Sequence, residues 1–202
     1  MQPIVPGIPQ QQTGGESNTI STCNRVSHED AVAFFKLVRE RLLNVNSWET
    51  VAKVPSADFH LCDEFGREVN RPAKEGDHFK IDIPGPENKK GDGSDWVKVR
   101  SIEERYSEGE DHITMTVGPC PNPLNNDEET SHFFTDEATS SFVIQRDGTK
   151  ITAAVYGRNE NANTDSDNIT DKIRNSLVAT AAKTIFSKIQ WKGLVEGLIL
   201  QN

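Results

Sequence analysis

The stretch that most constrains the fold is the last one, from Asp165 to Asn202. Asp165-Ser166-Asp167-Asn168 offers cap oxygens for a helix start, and Ile169, Ile173, Leu177, Ala181, Ile185 and Ile189 then follow at four-residue intervals. A helix from Asp167 to Leu200 would be about 50 Å long at ~1.5 Å per residue, far more than a small core needs. It must lie across something wide, and the run of short strands before it supplies a curved antiparallel sheet. The Ile169 to Ile189 stripe is expected to seat on that sheet. Phe186 and Trp191 leave the stripe, so they either close a pocket against Phe34 and Trp48 or form a contact surface.

The earlier chain reads as strands around a short helical insertion. Residues 1–17 hold three Pro, three Gly and four Gln without an apolar period, which predicts a flexible tail. A first strand is expected over Asn18 to Val26. Ser27-His28-Glu29-Asp30 resembles a capping box, and Ala31, Phe34, Phe35, Val38 and Leu42 keep the helical period to about Leu43. Trp48, Val51 and Val54 suggest a second short helix ending before Pro55.

From Ser56 the period changes to two: Phe59 and Leu61, then Phe79 and Ile81, then Val97 and Val99, then Ile113, Met115 and Val117. A strand is expected to resume from Ser131, most clearly at Ser140 to Ile144. Asp147-Gly148 marks a hairpin that returns through Lys150 to Tyr156. Polar loops interrupt the series at Glu87 to Asp95 and Gly118 to Glu129, and the first lacks the order of a phosphate-binding loop. The expected organisation is a tail over 1–17 and a single domain over 18–202.

Charge narrows the partners. There are 31 Asp plus Glu against 22 Lys plus Arg, a net charge of −9, and no basic stripe, so neither nucleic acid nor an anionic membrane is an expected partner. No leader pattern and no apolar run approaching ~18 residues occurs, which predicts a cytoplasmic protein. Cys23, Cys62 and Cys120 form no C-x-x-C pair and read as free thiols.

No catalytic motif stands out. His60 and Cys62 share a strand face, but nothing supplies the further ligands a zinc site needs, so no metal and no cofactor is expected. There is no G-x-S-x-G turn for a nucleophilic serine. Asp63, Glu64, Asp77, Asp82 and Glu160 show no evident pairing, and Asp77-His78 is at most a weak acid/base candidate. In Tyr156-Gly157-Arg158-Asn159-Glu160, Arg158 could grip a ligand carboxylate, or simply pair with Glu160 or tie down the helix entry. Gly193 and Gly197 allow close backbone contact on the last helix.

The order of strand, one or two helices, antiparallel strands and long terminal helix resembles the START-like, or Bet v 1-like, helix-grip (SRPBCC) superfamily. It is carried by that order, by the helix pair near Ser47-Trp48-Glu49 and by the Asp147-Gly148 hairpin. The resemblance implies an α+β fold with a curved antiparallel sheet of about six to seven strands packed on the long C-terminal helix. It also implies binding of a small hydrophobic or amphipathic molecule, lipids included, between sheet and helix. Trp48, Phe59, Phe79, Ile81, Val97, Val99, Met115, Phe142, Val155 and Arg158 are the candidate ligand-binding residues. The same apolar residues would equally fill a solid core. Two alternatives stand beside this reading. One is a protein with a filled core acting through its surface, for instance through Trp191 and Leu194. The other is a cyclase, dehydratase or hydrolase in which His78, Asp82 or Arg158 reaches the substrate.

Overall fold

A computed structural model describes residues 7–52, 57–82, 93–125, 128–163 and 188–201. The chain is α+β, built on a seven-stranded antiparallel sheet. Strand β1 (Gly15–Asn24) leads into helix α1 (His28–Leu43), a 3₁₀ turn (Val45–Ser47) and helix α2 (Trp48–Ala52). Strands β2 (Asp58–Cys62), β3 (His78–Asp82), β4 (Asp95–Tyr106), β5 (Glu110–Pro119), β6 (Thr139–Asp147) and β7 (Lys150–Glu160) follow. A terminal helix α3 covers 188–198 among the described residues. The sheet order is β1-β7-β6-β5-β4-β3-β2, so the two edge strands are those joined through the N-terminal helices.

Helix α1 starts as its cap predicts, with the Asp30 amide donating to Ser27 Oγ at 3.1 Å. The reciprocal half of the capping box differs. Asp30 takes Arg25 in a two-pronged ion pair, at 2.9 and 2.8 Å, and accepts from the Val26 amide rather than returning to Ser27. The inner faces of the strands and the buried face of α1 form one core, in which Phe59, Leu61, Phe79, Ile81, Val97, Val99, Ile113, Met115, Phe142, Ile144 and Val155 meet Phe35, Val38 and Leu42. The opposite sheet face carries two small clusters: Cys62, Trp96 and Cys120, and Val143, Ala154 and Tyr156 with Ile8 packed on them.

Three differences from the sequence reading have physical causes. Strand β1 begins at Gly15, ahead of the expected boundary at Asn18, because it pairs with β7 as far as Glu160. Within the expected tail, residues 7–14 lie on the outer sheet face: Ile8 packs on the Tyr156 cluster, and Asn159 bonds to Gln10, Gln11, Gln12 and Thr13. Strand β6 starts at Thr139 rather than Ser131, and residues 131–138 cross the end of the sheet.

The helical stripe also needs correction. Ile169 to Ile185 lie outside the described residues, and Ile189 is 55% exposed rather than seated on the sheet. At 3.6 residues per turn, steps of four advance by about 40°, so a strict four-residue spacing over twenty residues drifts by roughly 200° around a straight helix. The face that packs inward instead carries Trp191, Leu194, Val195 and Leu198. Leu194 is buried, so it offers no contact surface. Gly197 allows close packing, since a Cβ there would collide with the Val51 carbonyl, and Arg41 Nη1 donates to the Leu198 and Leu200 carbonyls at 2.8 Å each.

Candidate functional site

At the end of the sheet where β1, β7 and the start of the described α3 meet, the core does not close. A cavity of ≈ 50 Å³ remains there. Its apolar wall comes from Phe59 on β2, Phe79 and Ile81 on β3, Val97 on β4, Val117 on β5 and Phe142 on β6, closed by Trp191 on α3 and by Phe133 and Phe134 from the crossing segment. Ser17, His132, Ser140, Glu160, Lys188 and Gln190 supply polar groups to the same space.

Each wall has a local cause. The part of the wall on the sheet follows from alternation, which holds from Phe59 through Phe142 except at the register shift in β4 between Val99 and Ser101, beyond the wall residue Val97. Trp191 packs between sheet rings, tilted to Phe59 at 6.0 Å between centroids and edge-on to Phe142 at 5.2 Å. Gln190 is buried and its Oε1 accepts from the Ala57 amide at 3.1 Å, which ties α3 to the chain entering β2. His132 stacks on Phe133 with centroids 4.3 Å apart, and its Nδ1 accepts from the Phe134 amide at 3.0 Å.

Glu160 reaches the cavity through a break in alternation. Val155 faces the core, so a regular strand would turn position 160 outward. The register between β1 and β7 shifts between Gly15 and Ser17, and Asn159 takes a left-handed conformation with φ 56. Irregularities of this kind re-aim side chains. Here the Glu160 carboxylate lies over Gly157, where a Cβ would collide with Glu160 Oε1 and Ser17 Oγ. Ser17 Oγ donates to Glu160 Oε1 at 3.0 Å. Burial pushes the Glu160 carboxyl above its ordinary range, against the opposing pulls of the Ser17 hydroxyl, Lys188 and Arg158.

Of the residues singled out from sequence, Phe59, Phe79, Ile81, Val97 and Phe142 line the cavity. Val99, Met115 and Val155 face the same core but away from the open volume. Trp48 is 1% exposed, with ring centroids 4.8 Å from Phe142, 5.3 Å from Phe59 and 5.7 Å from Phe79, so it supports the wall from behind. Arg158 does not reach the cavity. It lies over the Tyr156 ring on the outer face and donates to the Ser17 carbonyl at 3.1 Å and to Asn18 Oδ1 at 2.8 Å.

The side chains considered for catalysis sit elsewhere. His78 is on the outer face of β3 with Nδ1 3.2 Å from the Asp63 carbonyl, and burial lowers its pKa. Asp77 is buried with both carboxylate oxygens held by Arg71, at 2.6 and 2.8 Å, and by the Lys74 amide at 2.9 Å. Asp82 accepts from Ser94 Oγ at 2.5 Å on that same outer side. Among the described residues no group of His, Cys, Asp and Glu is arranged to hold a metal ion. Cys62 and Cys120 are buried free thiols, pushed up by desolvation to about 11 and about 12.

The sequence reading takes Glu160 only as a carboxylate without evident pairing or as a partner for Arg158, and it misses Ser17, Ser140, Lys188, Gln190 and the Phe133-Phe134 pair beside His132. Three consecutive aromatic-type residues between a loop and a strand were the available signal for that segment. Gly157 three residues before Glu160 was the signal for the re-aimed carboxylate.

No helix among the described residues is long and apolar enough to cross a membrane. No protein-family model matches the chain, and no curated protein does. Among solved structures it is similar to the hypothetical protein jhp0584 from Helicobacter pylori, at 12% identity and a TM-score of 0.45, over 95% of this chain and 89% of that one. It is also similar to ginseng major latex-like protein 151 from Panax ginseng, at 15% identity and a TM-score of 0.37, over 86% and 97% of the two chains. A third is norcoclaurine synthase from Thalictrum flavum, at 8% identity and a TM-score of 0.34, over 92% and 98%. No residue of the site takes a role from these likenesses.

Proposed function

We propose that the protein is a helix-grip ligand carrier that takes a small hydrophobic or amphipathic molecule into the cavity between the inner sheet face and α3. The observation that carries this reading is a space walled by the rings of Phe59, Phe79, Phe133, Phe134, Phe142 and Trp191, with a few polar groups among them. Binding sites for small molecules share that composition: apolar walls fix affinity and a few polar groups fix orientation. The strand order, with both edges bridged by the N-terminal helices, supports the family relation.

The present volume, ≈ 50 Å³, is room for a few water molecules. An apolar cavity of ~150 Å³ takes up benzene, about three times the space present here, so uptake of a ring calls for Trp191 or the 132–134 segment to swing aside. Trp191, Phe133 and Phe134 are all only partly buried, which lets those rings move without opening the rest of the core.

Thermal-shift measurement against a panel of small aromatic, alicyclic and fatty compounds, followed by native mass spectrometry of the best, tests the reading. A saturable rise in melting temperature with a one-to-one adduct is expected. No shift and no adduct across the panel would contradict it.

A further inference from the structure

We propose that Glu160 makes this cavity selective for ligands that carry a protonated amine on a small apolar body. The inference rests on the ligand-binding reading above and adds the chemical class of the ligand.

A β-bulge with a left-handed residue in it, and a glycine beside it, put a carboxylate where alternation would not. Asn159 holds a left-handed φ of 56, the β1–β7 register shifts beside it, and position 157 is a glycine whose missing Cβ leaves the room that the Glu160 carboxylate occupies. The Asn159 conformation is itself held: its Oδ1 accepts from the amides of Gln12 and Thr13 at 2.8 and 3.2 Å, and its own amide donates to Gln11 Oε1 at 2.9 Å. Left-handed backbone at a residue other than glycine persists only where its surroundings enforce it.

The carboxylate is half satisfied. Ser17 occupies Oε1, while Oε2 accepts no hydrogen bond from any described residue. Carboxylates against apolar walls are costly unless paired, and a cation with N–H donors compensates best. Lys188 on the wall and Arg158 on the outer face act on the carboxylate through space, but neither hydrogen-bonds to it among the described residues, whereas a ligand ammonium would be held against Oε2. The neighbouring aromatic faces, Phe133, Phe142 and Trp191, attract a cation as well. A ligand carboxylate would meet Glu160 as a like charge, and a neutral hydroxyl would gain one uncharged hydrogen bond.

Isothermal titration of the full chain with benzylammonium, benzyl alcohol and benzoate separates these cases, because the three probes share one ring and differ in charge. The wild type is expected to bind benzylammonium about tenfold or more tightly than benzyl alcohol, and benzoate weakest. In Glu160→Gln, benzylammonium affinity should fall by about tenfold while benzyl alcohol stays within about twofold. A wild type that prefers the alcohol or benzoate, or an amine preference that survives in Glu160→Gln, would overturn the inference while leaving the ligand-binding reading intact. Failure of all three probes to bind would overturn both.

Discussion

Ser17 and Glu160 join the first strand to the last inside the cavity, through a hydrogen bond of 3.0 Å from the serine hydroxyl to the carboxylate. Burial raises the Glu160 pKa and the serine opposes it, so the folded state holds the Glu160 proton more tightly than the unfolded state does. The stability this group contributes is fully present below the ordinary carboxyl pKa and is lost as pH rises through the raised folded value. Glu160→Gln should therefore be more stable than the wild type at about pH 7, with the gap closing by about pH 4, in urea unfolding. Ser17→Ala should push the Glu160 titration further up in a carboxyl NMR titration; a downward move would contradict the role given to Ser17.

Asn159 is the hinge of that arrangement, because it combines φ 56 with bonds to residues 10–13. Asn159→Gly keeps the left-handed conformation without steric cost and loses the side-chain bonds, whereas Asn159→Ala loses the same bonds and strains that conformation. The alanine variant should be less stable than the glycine variant by about 1 kcal/mol, the cost of left-handed backbone with a Cβ. Hydrogen exchange at Gln12 and Thr13 should accelerate in both variants. Unchanged exchange would show that the N-terminal segment is held by other contacts.

Trp48 was expected among the ligand-binding residues, and its position behind Phe59, Phe79 and Phe142 predicts a packing phenotype. Its Nε1 also donates to the Leu42 carbonyl at 3.0 Å. Trp48→Ala should cost about 3–5 kcal/mol in chemical unfolding. Trp48→Phe should cost about 1–2 kcal/mol, chiefly by leaving the Leu42 carbonyl unpaired, with ligand affinity nearly unchanged. A Trp48→Phe protein of normal stability that no longer binds would instead place Trp48 in the ligand wall.

At the far end of the sheet Arg146 and Asp111 form a buried ion pair, Nε to Oδ2 at 2.6 Å, and Arg146 Nη1 donates to the Gly109 and Gly148 carbonyls at 3.2 Å each. One guanidinium thus fastens the β4–β5 and β6–β7 turns. Arg146→Met should destabilise by about 3–5 kcal/mol, since it leaves Asp111 buried without its cation. Adding Asp111→Asn should recover part of that loss, and no recovery would mean that the turn contacts, not the ion pair, dominate.

How much of this was legible in the sequence depends on periodicity. Helix α1 could be read because Ser27 and its apolar spacing are local signals, and β2 to β5 because inner and outer residues alternate. The inward direction of Phe59, Phe79, Ile81, Val97 and Phe142 follows from that alternation, while their standing as ligand-binding candidates came from the family resemblance. Alternation cannot reveal where it is broken. Asn159 reverses it, so Arg158 drew attention as the ligand-binding residue when Glu160 is the one turned inward. The closing rings of Phe133 and Phe134 lie in a segment without a period, and the drift of a four-residue spacing around a helix hid that Trp191, not Ile189, faces the sheet.

The most direct test of the account is a methyl and aromatic NMR titration of the full chain with benzyl alcohol. Saturable shifts are predicted at Ile81, Val97, Val117 and Trp191, with the methyls of Val38, Leu42 and Ile151, deeper in the core, unmoved. Absence of saturable shifts, or shifts centred on exposed residues such as Phe65 and Leu124, would contradict the claim that this cavity is the binding site.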